Sequence, residues 1–257
     1  MLVAPVIGPT LGSRRPAGPD VEESKGVKTE LTDPSNTRFD TELASLTELA
    51  DQVISRANAQ ARTGSSDRVL VAIAGPPGSG KSTTADELVD LLNKRTPGSA
   101  AVLPMDGYHY DDLVLEQRGH IARKGSPHTF DVAGFAHMLG RLRVNDEAEV
   151  AVPVFDRSIE IARAGARIIP QSVTYLVVEG NYLLLDVVPW NDLARFFDLT
   201  VFIDVPEDEL GHRLRQRWAD LPEVEADWKL EGNDLPNARL VLARRRSADF
   251  ILRPSAP

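Results

Sequence analysis

Val69-Leu70-Val71-Ala72-Ile73-Ala74-Gly75-Pro76-Pro77-Gly78-Ser79-Gly80-Lys81-Ser82-Thr83 is the stretch on which the rest of the chain turns. It opens as an unbroken apolar run, the pattern of a strand buried on both faces of a parallel sheet. A loop of the form Gly-x-x-x-x-Gly-Lys-Ser follows, and then Ala85, Leu88, Val89 and Leu92 recur at helical spacing. Glycines allow successive amides to turn inward around an anion, and the positive end of the next helix faces the same place. The plainer reading is a glycine turn between a core strand and a surface helix. Strand, loop, Lys-Ser and helix together favour a nucleoside triphosphate site. Gly75, Pro76, Pro77, Gly78, Ser79, Gly80, Lys81, Ser82 and Thr83 would then cradle the nucleotide. Lys81 would reach its β- and γ-phosphates, and Ser82 would hold Mg2+.

Length and composition narrow the remaining classes. The chain has 257 residues, 42% of them apolar, enough for a sizeable core. A formal net charge of −9 argues against a protein that coats nucleic acid. There is no cysteine, which excludes disulfides, thiolate metal sites and cysteine nucleophiles. No apolar run approaches the ~20 residues of a membrane-spanning helix, and the N-terminal residues lack the positive start of a secretory signal. The expectation is a soluble, cytoplasmic protein with no membrane or nucleic-acid partner. Homodimerisation stays open.

Outward from the loop, residues 1–38 are rich in Pro, Gly, Ser and mixed charge, which predicts a disordered tail before a domain over 39–257. From Asp40, the residues Leu43, Leu46, Leu49, Val53 and Ile54 predict one helix face, ended by Gly64-Ser65-Ser66-Asp67. After the phosphate-loop helix, Ala100–Met105 reads as a short strand delivering Asp106 at its C-terminal end. Ligands of open α/β sheets bind there, although a helix cap or turn is the bland role for Asp106. The segment 107–172 reads as an insertion shaping an acceptor pocket, with Tyr108, His109, Lys124 and His128 in its loops. Its elements are a helix from Val132, capped by Asp131, and an irregular strand through Pro153 to Asp156 that pairs back with Arg167–Pro170.

The sheet resumes at Thr174–Tyr182, where an apolar run ends in Glu179, a second acid suited to Mg2+. A further strand, Leu199–Asp204, precedes a lid region over 206–232. Its helix carries Arg213 and Arg217, which serve either migrating phosphate or the helix dipole. Residues 219–237, including Asn237, read as polar and turn-rich. A last helix with Arg244-Arg245-Arg246 and the strand Ala248–Leu252 follow.

Taken in order, Gly75–Ser82, Met105-Asp106-Gly107-Tyr108, Lys124-Gly125-Ser126-Pro127 with Phe130-Asp131, Val152–Asp156 and Val177–Gly180 resemble the phosphoribulokinase/uridine kinase family. That family also holds type I pantothenate kinases and kinases assigned to fructose transport systems. The resemblance spans about residues 68–252. It implies a three-layer α/β/α fold with a parallel sheet ordered 2-3-1-4-5, and ATP with Mg2+ as donor. It further implies Asp106 as general base, Arg213 and Arg217 as lid arginines, and Ser82 with Glu179 at the metal. Tyr108, Lys124, Asp156, Arg157 and Asn237 fall toward the acceptor. Gly125 stands where uridine kinases place an aspartate on the ribose hydroxyls. Phe155-Asp156-Arg157 replaces the Tyr-x-His of pantothenate kinases. The expected acceptor is therefore a small sugar or sugar-like alcohol, with nucleoside or pantothenate as alternatives. A nucleotide-dependent switch or ATPase accessory protein is the alternative of another class.

Overall fold

The computed structural model describes residues 40–63 and 68–254; the expected tail over 1–38 and the turn at 64–67 lie outside them. The elements in chain order are β1 (Thr41–Leu43), α1 (Leu46–Thr63), β2 (Val69–Ala74), α2 (Lys81–Arg95), β3 (Ala100–Pro104), α3 (Asp112–Gln117) and α4 (Val132–Val144). There follow β4 (Glu149–Asp156), β5 (Ile161–Pro170), β6 (Tyr175–Gly180), β7 (Leu199–Ile203), α5 (Glu207–Arg217), α6 (Glu223–Lys229), α7 (Leu235–Arg244) and β8 (Phe250–Leu252).

Six strands form one sheet in the order β1-β8-β7-β2-β6-β3, parallel throughout. Counted from the phosphate-loop strand, five of them run 2-3-1-4-5 as expected. Every residue of β2 is buried, and its side chains alternate between two cores. Val69, Val71 and Ile73 face Leu49 and Val53 of α1 and Leu88 and Leu92 of α2. Leu70, Ala72 and Ala74 join the core that holds Phe135, Leu139 and Leu142 of α4. Helices thus cover both faces, giving the three layers of an α/β/α fold.

Two sequence expectations change. The helix predicted from Asp40 starts only at Leu46, because Thr41–Leu43 adds a sixth strand beside β8. Ser45 marks the true start: its Oγ accepts from the Glu48 amide at 3.2 Å, and the Glu48 carboxylate accepts from the Ala44 amide at 2.9 Å. The segment 219–237, read as turns, is largely helical: α6 runs through a π turn over Leu230–Asp234 into α7. Pro236 fits there because the first positions of a helix need no amide donor. The irregular strand through Pro153 is found as expected. β4 and β5 form a separate antiparallel pair whose register shifts between Val152 and Val154, so the missing proline N–H falls at a bulge.

Candidate active site

β2 ends at the loop Gly75–Gly80, and the backbone there is shaped for an anion. Gly78 and Gly80 have φ of 80° and 87°, the left-handed region that disfavours a Cβ. No side chain caps the start of α2 and no acid sits in its first turn, so its free amides and positive pole stay available. Ser82 and Thr83 are exposed on that turn. Ser79 is buried, with an Oγ that finds no protein partner. Pro76 and Pro77 are buried where the chain leaves the strand. These features fit a polyphosphate.

Beside the loop, β6 brings up Glu179, whose Oε2 accepts from Ser82 Oγ at 3.1 Å. Glu179 is 5% exposed, and burial pushes its carboxyl above the usual range while Lys81 opposes that shift. Among the described residues there is no cluster of three or more His, Cys, Asp or Glu that could hold a metal. A hydroxyl and one carboxylate nevertheless fit Mg2+, which keeps several waters and takes the rest of its oxygens from phosphates.

β3 delivers Asp106 into a short 3-10 turn, Met105–Tyr108. A cavity of about 290 Å³ is lined by Asp106 together with Lys81, so the acid and the phosphate-loop lysine face one space. Lys124, Arg157, Arg217 and Asn237 line the same cavity, and the sequence singled out all four. Lys124 is bonded to the Asp112 carboxylate and the Glu160 carbonyl, with its ammonium 5.4 Å from the Phe155 ring. Asn237, 3% exposed, accepts from Ser126 Oγ at 3.1 Å and donates to Asn233 Oδ1. Arg217 lies 5.0 Å over Trp218, and burial, then neighbouring Arg157, makes its proton less firmly held. Arg213 does not line this cavity. It pairs with Glu209 at 2.8 Å, and its Nη1 comes within 4.0 Å of where a Cβ on Gly80 would sit. The arginine is therefore beside the phosphate loop.

Two acceptor candidates are corrected. Tyr108 points into the core, its ring 4.7 Å from Phe135, because successive side chains of the turn leave in different directions. Asp156 is taken up within the hairpin by Ser158 Oγ at 2.6 Å and Arg163 at 2.8 Å, and lines a neighbouring surface depression instead. Sequence reading in turn missed Asn181, Trp218, Trp228 and Asn233 as lining residues. Around Asn233 the Gly-Asn-Asp run predicts a turn, and the structure makes it helical. A larger concavity, about 870 Å³ between α4 and the 3-10 segment Trp190–Phe196, holds none of the candidate residues.

No protein-family model matches the chain. It is 34% identical over 189 residues to the uncharacterised protein YggC of Escherichia coli, covering 72% of this chain and 77% of that one. A crystal structure from Silicibacter, of a kinase provisionally assigned to fructose transport, is 40% identical with a TM-score of 0.74 and covers 81% and 99% of the two chains. A provisional uridine kinase of Schizosaccharomyces pombe is 29% identical, with 72% and 83% covered. The chain belongs to the phosphoribulokinase/uridine kinase family of P-loop kinases. A pantothenate kinase from Chelativorans matches at 31% identity over 72% of this chain and 67% of its own length. A circularly permuted P-loop protein from Saccharomyces cerevisiae, 19% identical with a TM-score of 0.71, shares the fold. As a member of this kinase family, the chain carries a nucleotide-binding phosphate loop, and no helix among its described residues is long and apolar enough to cross a membrane.

Proposed function

We propose that this kinase transfers the γ-phosphoryl group of ATP to a hydroxyl of a small sugar or sugar-like alcohol, in the cytoplasm. The observation that carries the reading is the single cavity shared by Asp106, Lys81 and Arg217. Its size suits a small metabolite, and its walls alternate aromatic rings with hydrogen-bonding groups. The likeness to a kinase provisionally assigned to fructose transport supports a sugar in particular.

Phosphoryl transfer asks for positioning and charge stabilisation more than for covalent chemistry by the protein. The amides of Gly78 and of Gly80–Ser82, with the Lys81 ammonium, hold the triphosphate. Ser82 and Glu179 would hold Mg2+ brought with the nucleotide, and that ion would supply charge neutralisation to the triphosphate. Asp106 orients the acceptor hydroxyl and takes its proton as the oxygen attacks the γ-phosphorus; the bond to the β-γ bridging oxygen breaks and ADP leaves. Arg213 beside Gly80 and Arg217 in the cavity meet the charge that develops on the migrating group. The helices α5 to α7 exclude water, which would otherwise compete as acceptor.

The test is coupled ATP consumption by the purified chain with D-fructose, uridine and pantothenate in turn. Consumption that depends on fructose is the expected result. Dependence on uridine or pantothenate alone moves the acceptor to that class, and consumption independent of any acceptor overturns the kinase reading in favour of an ATPase or switch.

A further inference from the structure

His109 follows Asp106 by three residues and lines the same cavity. Its Nδ1 lies 2.7 Å from the main-chain oxygen of Asp106. A carbonyl oxygen can only accept, so Nδ1 carries the proton and Nε2 is left with its lone pair. The ring is clamped between Phe130 at 4.0 Å and Phe155 at 4.8 Å, which fixes where Nε2 points. Nε2 has no protein partner and is not sealed from solvent, as the buried, unpartnered side-chain atoms are. Burial holds the imidazole below its ordinary pKa, and Lys124 and Arg157 act in the same direction against Asp106. The ring therefore stays neutral over a wider range than a surface histidine.

A second polar residue, Asn181, lines this space. Asn181 Oδ1 is buried and has no protein partner. An open acceptor atom beside a carboxylate describes an occupant that brings more than one O–H group.

We propose that His109 recognises the acceptor: its Nε2 takes a hydrogen bond from a second hydroxyl of a polyhydroxy substrate while Asp106 takes the proton of the reacting one. This rests on the sugar-kinase reading and adds which atom selects the substrate. It also accounts for the 3-10 turn, which ties the recognising ring to the main chain of the base itself. A substrate bound through His109 is thereby registered against Asp106.

The experiment compares wild type with His109→Phe, which keeps the ring stacking and removes the nitrogens. Mg-ATP is the donor, and D-fructose and its analogues lacking one hydroxyl each are the acceptors. One deoxy analogue should lose on the order of tenfold or more in kcat/KM with wild type. That penalty should vanish in His109→Phe, whose KM for fructose rises while its KM for ATP stays within about twofold. His109→Gln, with an amide oxygen near the Nε2 position, should recover part of the discrimination, and it carries the test if His109→Phe fails to fold. Nitrogen NMR of the wild-type ring should show the proton on Nδ1. A variant that keeps the wild-type penalty for every missing hydroxyl, or a ring protonated on Nε2, overturns the proposal. If wild type does not phosphorylate fructose, the sugar reading falls and takes this inference with it. If wild type does and the variants discriminate equally, only the role of His109 falls.

Discussion

Arg157, in the turn of the β4–β5 hairpin, donates from Nη2 to Oδ2 of Asp106 at 2.9 Å, leaving Oδ1 without a protein partner. The hairpin reaches this turn because Gly107 lets it in close. A Cβ on Gly107 would lie 2.5 Å from the Pro153 carbonyl oxygen. One carboxylate oxygen is thus oriented by a cation while the other is free to meet a hydroxyl. Replacing Asp106 by Asn should lower kcat by about 100- to 10,000-fold. Nucleotide affinity by calorimetry should stay within about threefold, because the phosphates are held by the loop and not by this acid. Arg157→Ala should cost less in kcat and show mainly as a raised acceptor KM.

Gly80 supplies a stability prediction. Its φ of 87° is costly for any residue with a Cβ, although the nearest side-chain atom, Nη1 of Arg213, leaves room at 4.0 Å. Gly80→Ala should therefore destabilise by about 1–2 kcal/mol through backbone strain alone. At this chain length each kcal/mol corresponds to about 2–4 °C in Tm. Differential scanning calorimetry without nucleotide reads the loss, and an unchanged Tm contradicts the left-handed geometry of the loop.

Glu179 gives a pH-dependent outcome. Burial raises its carboxyl above the ordinary value of 4.5, so the folded chain holds this proton more tightly than the unfolded one. Its contribution to stability is then fully present below the unfolded value and is lost as pH rises through the folded one. Glu179→Gln mimics the protonated form. Without Mg2+, its Tm should match wild type near pH 4.5 and exceed it increasingly at higher pH. With Mg-ATP at neutral pH the order should reverse, because the variant has lost a cation ligand. Equal melting of the two proteins across the whole pH range would remove the buried charge from this account.

Tyr108 tests one of the corrections. Its hydroxyl is buried and has no hydrogen-bond partner, and burial moves its ionisation upward. Tyr108→Phe removes a polar atom that gains nothing in place. It should leave kcat and both KM values unchanged and stabilise the fold by up to about 1 kcal/mol. A tenfold rise in acceptor KM would return Tyr108 to the binding site.

The parts of this molecule that follow from local chemistry are legible in its sequence. Val69–Ala74 is apolar on both faces because the strand is buried on both, and the glycine loop and Lys-Ser could follow only at its carboxyl end. Pro153 announced an irregular strand because a missing donor has to fall where the ladder breaks. Thr41–Leu43 was hidden by its brevity: three residues carry no period, and what holds them is pairing with Phe250–Leu252, some two hundred residues away. Tyr108 and Asp156 depart from expectation for a related reason. Sequence adjacency to Asp106 or Arg157 brings a residue near the site, but the direction its side chain takes depends on partners from elsewhere, Phe135 for one and Arg163 for the other. Asn181 and Trp228 reach the cavity only through tertiary assembly, and nothing local marks them.

Leu214, Leu230 and Leu235 form a small apolar cluster of their own, separate from the two cores that flank the sheet. Leu214 rests on the phosphate loop, its Cγ 3.1 Å from where a side chain on Gly78 would begin. The cap over the cavity thus has a small apolar centre of its own in addition to its contacts with the body of the protein. Leu210 and Ala238 anchor it in the core on one face of the sheet and Val241 in the core on the other, while Leu214 touches the very peptide that grips the nucleotide. A nucleotide held by that peptide therefore sits one side chain, Leu214, away from the packing of the cap.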